Sequence, residues 1–246
     1  MEIRSSNPAF RNGILNRAGE RTADGVMSLG GTIAKTFLLL ALTIGSAMYT
    51  WTQVATRPGQ IGFLIMVGAI GGLVVALLTI FVPRFAPVTA PIYAVLEGLA
   101  LGGISTLYNA QYRGLPVQAV MLTFAVFMVM LALYRFRIIR ATERFRSVLL
   151  AAGMGLMLFY LVHMVMGFFG TGIGIVTSAS PLGIGFSVVA AGIASFFLIL
   201  DFDLVEEGIA KGAPKHMEWY AGFSLLLTLV WLYMELLRLL GKLRRD

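Results

Sequence analysis

The sequence predicts an all-α integral membrane protein with seven transmembrane helices. Three observations carry that reading. The chain is 58% hydrophobic and only 13% charged, outside the composition of a soluble domain of this size. Its apolar residues fall into runs of the length a bilayer requires, about 20 residues each. Its net charge of +7 sits beside those runs instead of forming one basic stripe, so membrane topology accounts for it and nucleic acid is not implied.

Residues 1–24 form a polar arm carrying Arg4, Arg11, Arg17 and Arg21. The arm has neither a short apolar core nor a small-residue cleavage site, so the first apolar run is expected to be retained as a span. The remainder, 25–246, reads as one seven-helix domain with a short basic C-terminal tail. Spans are expected at 34–52, 61–82, 91–108, 116–134, 147–169, 182–202 and 219–240. The intervals hold the helix breakers: Pro58-Gly59, Pro83 and Pro87, Gly114 with Pro116, the Gly170 to Pro181 stretch, and Gly212 to Pro214. The chain has no cysteine, so it offers no thiolate metal site and no redox information.

Short cytosolic loops retain Lys and Arg. The arm with Lys35, the Arg84 loop, the connection bearing Arg135, Arg137, Arg140, Arg144 and Arg146, and the loop with Lys211 and Lys215 therefore belong on one side, the cytosolic one. The alternating loops hold only Arg57 and Arg113. The tail, with Arg238, Lys242, Arg244 and Arg245, runs against this pattern. Either six preceding helices override the rule or the last segment does not cross fully. The length of 219–240 favours full crossing.

Glycine and alanine recur at four-residue spacing, as in Gly68-Ala69-Ile70-Gly71-Gly72 and Gly98-Leu99-Ala100-Leu101-Gly102, which lets helices approach closely. Acids inside spans are costly unless they face a partner or water. Glu97, Asp201, Asp203, Glu206, Glu218 and Glu235 qualify. Asp201 and Asp203 point about 200° apart on a regular helix. Asp201 shares a stripe with Ala190 and Ala194 and is expected to face inward, whereas Asp203 groups with Glu206 and Glu207 on a solvated face. Ser224, Thr228, Trp231 and Glu235 form one polar stripe on the last helix, and Tyr93, Glu97 and Tyr108 form another on the third. Either stripe serves equally as hydrogen-bonding glue or as a conduction path. His163 reads as a hydrogen-bonded packing residue.

The segments LDFDLVEEGIAKGAPKHMEWYAGFSLLLTLVWLYMELLRLL (200–240), PIYAVLEGLALGGIS (91–105) and RSSNPAF (4–10) resemble the bacterial YccA-like branch of the Bax inhibitor-1 family across nearly the whole chain. The resemblance implies two three-helix layers around a central seventh helix, placement in the bacterial inner membrane, and a pH-sensitive calcium leak. It assigns that leak to an acidic pair on the sixth and seventh helices and an arginine latch on the second. Carried over by position, the sixth-helix aspartate is Asp201, which would meet Ca²⁺ as the transported ion. The seventh-helix acid falls on Thr228, so the pair is not reproduced, and Glu218 is a candidate replacement. Arg84 is the candidate latch.

Three function classes follow. The first is a passive ion pathway built from Asp201, Glu218, Thr228, Ser224, Glu97, Glu235 and Arg84, with Asp203 secondary; carboxylate oxygens suit Ca²⁺. The second is a non-transporting regulator that binds a membrane protease or another membrane protein. The third, an intramembrane aspartyl protease, lacks the required aspartates on separate helices. The chain has no Gly-x-x-x-x-Gly-Lys-Ser/Thr sequence for nucleotide-driven pumping. It is expected to be no enzyme and to hold no cofactor.

Overall fold

A computed structural model describes residues 25–56 and 58–245. The arm 1–24, Arg57 and the terminal Asp246 lie outside the described residues. Seven helices are long and apolar enough to cross a membrane: α1 (Leu29–Thr56), α2 (Ile61–Phe81), α3 (Ala86–Gln111), α4 (Leu115–Arg135), α5 (Glu143–Phe168), α6 (Pro181–Ala210) and α7 (Met217–Leu243). A single helical turn, Gly174–Thr177, lies between α5 and α6.

Several helices extend beyond the expected spans: α1 runs Leu29–Thr56 instead of 34–52, and α5 begins at Glu143 instead of 147. Two further extensions have a local reason. α3 starts at Ala86 instead of residue 91, because Pro87 occupies the first turn, where a missing N–H costs no hydrogen bond. α6 continues past residue 202 to Ala210, so that Asp203, Glu206 and Glu207 are presented from a helix. It stops where Gly212 takes a left-handed backbone conformation (φ +62°) and the Ala213 N–H bonds back to Gly208 O at 2.9 Å.

The bundle is apolar on both sides of its packing. Large side chains such as Phe37, Phe63, Met121, Met157 and Phe168 are exposed, as a lipid-facing surface requires. Small residues face inward: the buried positions of α2 are Gly68, Gly72, Ala76 and Thr79. α7 is the central element. It packs against α1, α3, α4 and α6, with α1–α3 forming one layer and α4–α6 the other. Its residues join both buried cores, Leu225, Leu229, Leu232 and Leu236 in one and Phe223, Leu226, Tyr233 and Leu237 in the other.

The four-residue glycine spacing is used for contact. A Cβ on Gly68 would stand 2.5 Å from Leu96 O of α3, and one on Gly102 would stand 2.8 Å from the Ala47 Cα of α1. Gly155, by contrast, has open space around it. Gly102→Val is therefore expected to destabilise the protein by about 1–3 kcal/mol through overpacking, while Gly155→Ala should leave the detergent-solubilised protein's melting temperature unchanged or slightly raised. Equal losses at both sites would contradict the packing.

The tail settles how far the last helix runs. Lys242 Nζ donates to Gly183 O (2.7 Å) and Ile175 O (3.2 Å), Arg244 to Arg113 O and Gln118 Oε1 (both 3.1 Å), and Arg245 to Thr177 O (3.0 Å). The carbonyls of the α3–α4 and α5–α6 connections thus engage the tail's cations. α7 spans the bundle from the α6–α7 turn to those connections, about 40 Å for its 27 residues at 1.5 Å each. The two ends are named below for Arg137 and Lys242.

Candidate functional site

Asp201 points into the bundle from α6. Its face carries Ala190, Ala194 and Leu198, all with no exposure, and Asp201 itself is 6% exposed. Ser224 of α7 donates to Oδ1 at 2.5 Å. Thr228, one turn along α7, lies close enough to act on the same carboxylate, yet Oδ2 makes no hydrogen bond of good geometry. A buried carboxylate oxygen without a full partner is costly. Such sites usually answer to an ion, a proton or water, and this one lies on the seam between the layer-forming α6 and the central helix. Among the described residues no group of three or more His, Asp or Glu side chains is placed to hold a metal, so Asp201 is a single charged contact and no cage surrounds it.

The other acids of α6 meet a different fate. Arg146 donates to Asp203 Oδ2 (2.7 Å) and reaches Glu207 at 3.6 Å, Arg137 binds Glu206 (2.6 Å), and Lys211 pairs with Glu207. Tyr134 donates to Glu206 at 2.5 Å. These exposed or half-exposed pairs pin the arginine-rich α4–α5 connection onto the end of α6. Arg137 has φ +58°, a conformation non-glycine residues rarely hold. The carboxylates after the apolar run thus split by face: one enters the bundle and three fasten a loop.

Glu218 is not the partner of Asp201. It is 1% exposed, accepts from Ser28 N and Ser28 Oγ (2.9 Å each) and forms an ion pair with Lys35 of α1. Lys35 also lies over the Trp219 ring, 5.7 Å from its centroid. Gly31 leaves the space this carboxylate fills. With Met27 N donating to Ala213 O at 2.7 Å, the start of α1 is clamped on the α6–α7 turn.

The remaining candidates are dispersed. Arg84, in the Pro83–Phe85 turn, is exposed and forms no ion pair among the described residues. Glu97 faces Gly72 of α2, in a layer that α7 separates from Asp201. Glu235 lies at the Lys242 end, accepting from Tyr160 (2.9 Å), Trp231 (3.2 Å) and Arg238 (2.9 Å). His163 Nδ1 accepts from Ile173 N at 3.1 Å. Of the expected constellation, only Asp201, Ser224 and Thr228 come together.

A family model described as Bax inhibitor 1 like matches residues 7–245. The chain belongs to the Bax inhibitor-1-like family. A search of curated proteins found no match to it. The match covers all seven helices of this Bax inhibitor-1-like protein, including both segments that carry Asp201 and Thr228. Sequence reasoning missed Lys35, Ser28 and Tyr160 as partners. Lys35 reads in the sequence as one of the arm's topology charges, although a lysine inside an apolar helix needs a nearby acid.

Proposed function

We propose that this Bax inhibitor-1-like protein is a passive, pH-sensitive cation pathway that carries Ca²⁺, with Asp201 as the controlling carboxylate. The observation that carries the reading is a buried aspartate with one oxygen lacking a full partner, aimed at the Ser224–Thr228 stripe of the central helix. A carboxylate oxygen is a hard ligand suited to Ca²⁺, and a single one supports brief contact instead of storage. Protonation at the unpartnered Oδ2 adds a donor there and removes the negative charge, while Oδ1 still accepts from Ser224, so the charge of the α6–α7 seam responds to pH. Neither catalysis nor a cofactor is part of this proposal. Flux should rise above that of empty liposomes for Ca²⁺ over Na⁺ and K⁺ when purified protein is reconstituted. Equal leakage from empty and loaded vesicles would end the proposal.

The proposed orientation puts the Arg137 end in the cytosol of a bacterial inner membrane, following the excess of Lys and Arg there. The opposing charges of the tail are already held by loop carbonyls. Because the chain has no cysteine, single cysteines report sidedness directly. Thr171→Cys and Arg244→Cys should react with a membrane-impermeant reagent added to intact cells, and Arg140→Cys should not. The reverse pattern would invert the topology. The alternative of a protease-binding regulator rests on the arm, outside the described residues, and no structural observation favours it.

A further inference from the structure

At the Lys242 end, far along α7 from Asp201, a cavity of about 250 Å³ opens between α3, α5, α7 and the Gly174–Thr177 turn. Its wall includes Arg238, Lys242 and Arg245, together with Tyr108, Tyr160 and His163. We propose that this cavity binds a phosphate-class anion. The inference is independent of the Asp201 reading.

The charge count comes first. Glu235, the carboxylate beside the cavity, is spent: Oε1 accepts from Trp231, and Oε2 from Tyr160 and Arg238. Its ion pair is with Arg238, so its one negative charge offsets one of the three cations. Among the described residues, Lys242, 3% exposed, and Arg245 are held by backbone carbonyls, which satisfy hydrogen bonds without cancelling charge. Among the described residues, two net positive charges therefore remain around a small cavity.

The donors come next. Lys242 uses two of its three protons on Ile175 O and Gly183 O, leaving one for a ligand. Arg238 meets Tyr160 and Glu235 through Nη1, so the rest of its planar fork stays available, the geometry that phosphate oxygens match. Its guanidinium also stacks on the Tyr160 ring at 4.8 Å, which fixes its direction. His163 accepts at Nδ1 from Ile173 N, so a neutral ring carries its proton on Nε2 and is a donor there. The lining is rich in donors and poor in free acceptors, with surplus positive charge. That chemistry selects an anion and repels Ca²⁺. Tetrahedral oxyanions with several acceptor oxygens, whether free phosphate or the phosphodiester of an anionic lipid, use it best.

The test has two arms on the full-length protein. In neutral detergent, inorganic phosphate is titrated at constant ionic strength against chloride, reading the melting temperature and a binding isotherm. In parallel, native mass spectrometry follows retention of phosphatidylglycerol against phosphatidylcholine. Saturable phosphate binding identifies a soluble oxyanion site, and selective phosphatidylglycerol retention without phosphate binding identifies a headgroup site. Arg245→Gln, an exposed position, should weaken either by roughly tenfold, the loss expected for one charge-assisted hydrogen bond, and His163→Gln should weaken it further. No preference for phosphate over chloride together with none for phosphatidylglycerol over phosphatidylcholine overturns the proposal. So does binding that both variants leave undiminished.

Discussion

Glu218→Gln is expected to cost about 3 kcal/mol of stability, the lower part of the range for breaking a buried ion pair. The carboxylate is 1% exposed, while its partner Lys35 is 17% exposed, so the lysine is left partly hydrated and the full penalty is not reached. Glutamine keeps the volume and can still accept from Ser28 N, which isolates the charge from the packing. Lys35→Met should cost more than the double variant Lys35→Met/Glu218→Gln, because the single change strands a buried carboxylate and the double removes both charges. Thermal unfolding of the four proteins in one detergent gives the cycle. A coupling of zero would mean that the clamp between α1 and the α6–α7 turn does not hold the fold. Gly31→Ala is expected to mimic the loss, since its methyl group would occupy the space of the carboxylate.

What the sequence made legible follows the strength of each physical signal. Seven spans could be read because hydrocarbon imposes a length on each apolar run, and the helices are all present. Helix ends were less legible: α3 starts earlier because proline is tolerated in a first turn, and α6 runs further because its last carboxylates are ion-paired. The opposite faces of Asp201 and Asp203 could be read from helical periodicity and the small residues at 190 and 194. Partners could not. The pairing of Glu218 with Lys35, 183 positions away in sequence, depends on two helix ends meeting, which no local pattern encodes. The same holds for Tyr160, whose contact with Glu235 crosses from α5 to α7. Thr228 illustrates the reverse limit. Its register beside Asp201 was legible from the family resemblance, yet the strong hydrogen bond goes to Ser224, one turn earlier.

The reading of Asp201 as the controlling group rests on the difference between it and Asp203, two residues away on the same helix. Asp203 is half-exposed and paired with Arg146; removing such a pair usually changes stability by less than about 1 kcal/mol and leaves the interior of the bundle untouched. Asp201→Asn keeps the shape and the Ser224 contact but deletes the charge from the seam, so an ion passing there loses its only anionic ligand on that face of α6. A loss of a few kcal/mol in that contact corresponds to a drop in flux of at least about tenfold. Thr228→Asp, which adds a second carboxylate facing the first, should make flux more strongly pH-dependent than in the native protein. The decisive measurement is Ca²⁺ flux into liposomes holding equal amounts of native, Asp201→Asn and Asp203→Asn protein across pH 5 to 8. The account predicts near-background flux with little pH dependence for Asp201→Asn and native behaviour for Asp203→Asn; equal flux from Asp201→Asn and native protein would contradict it.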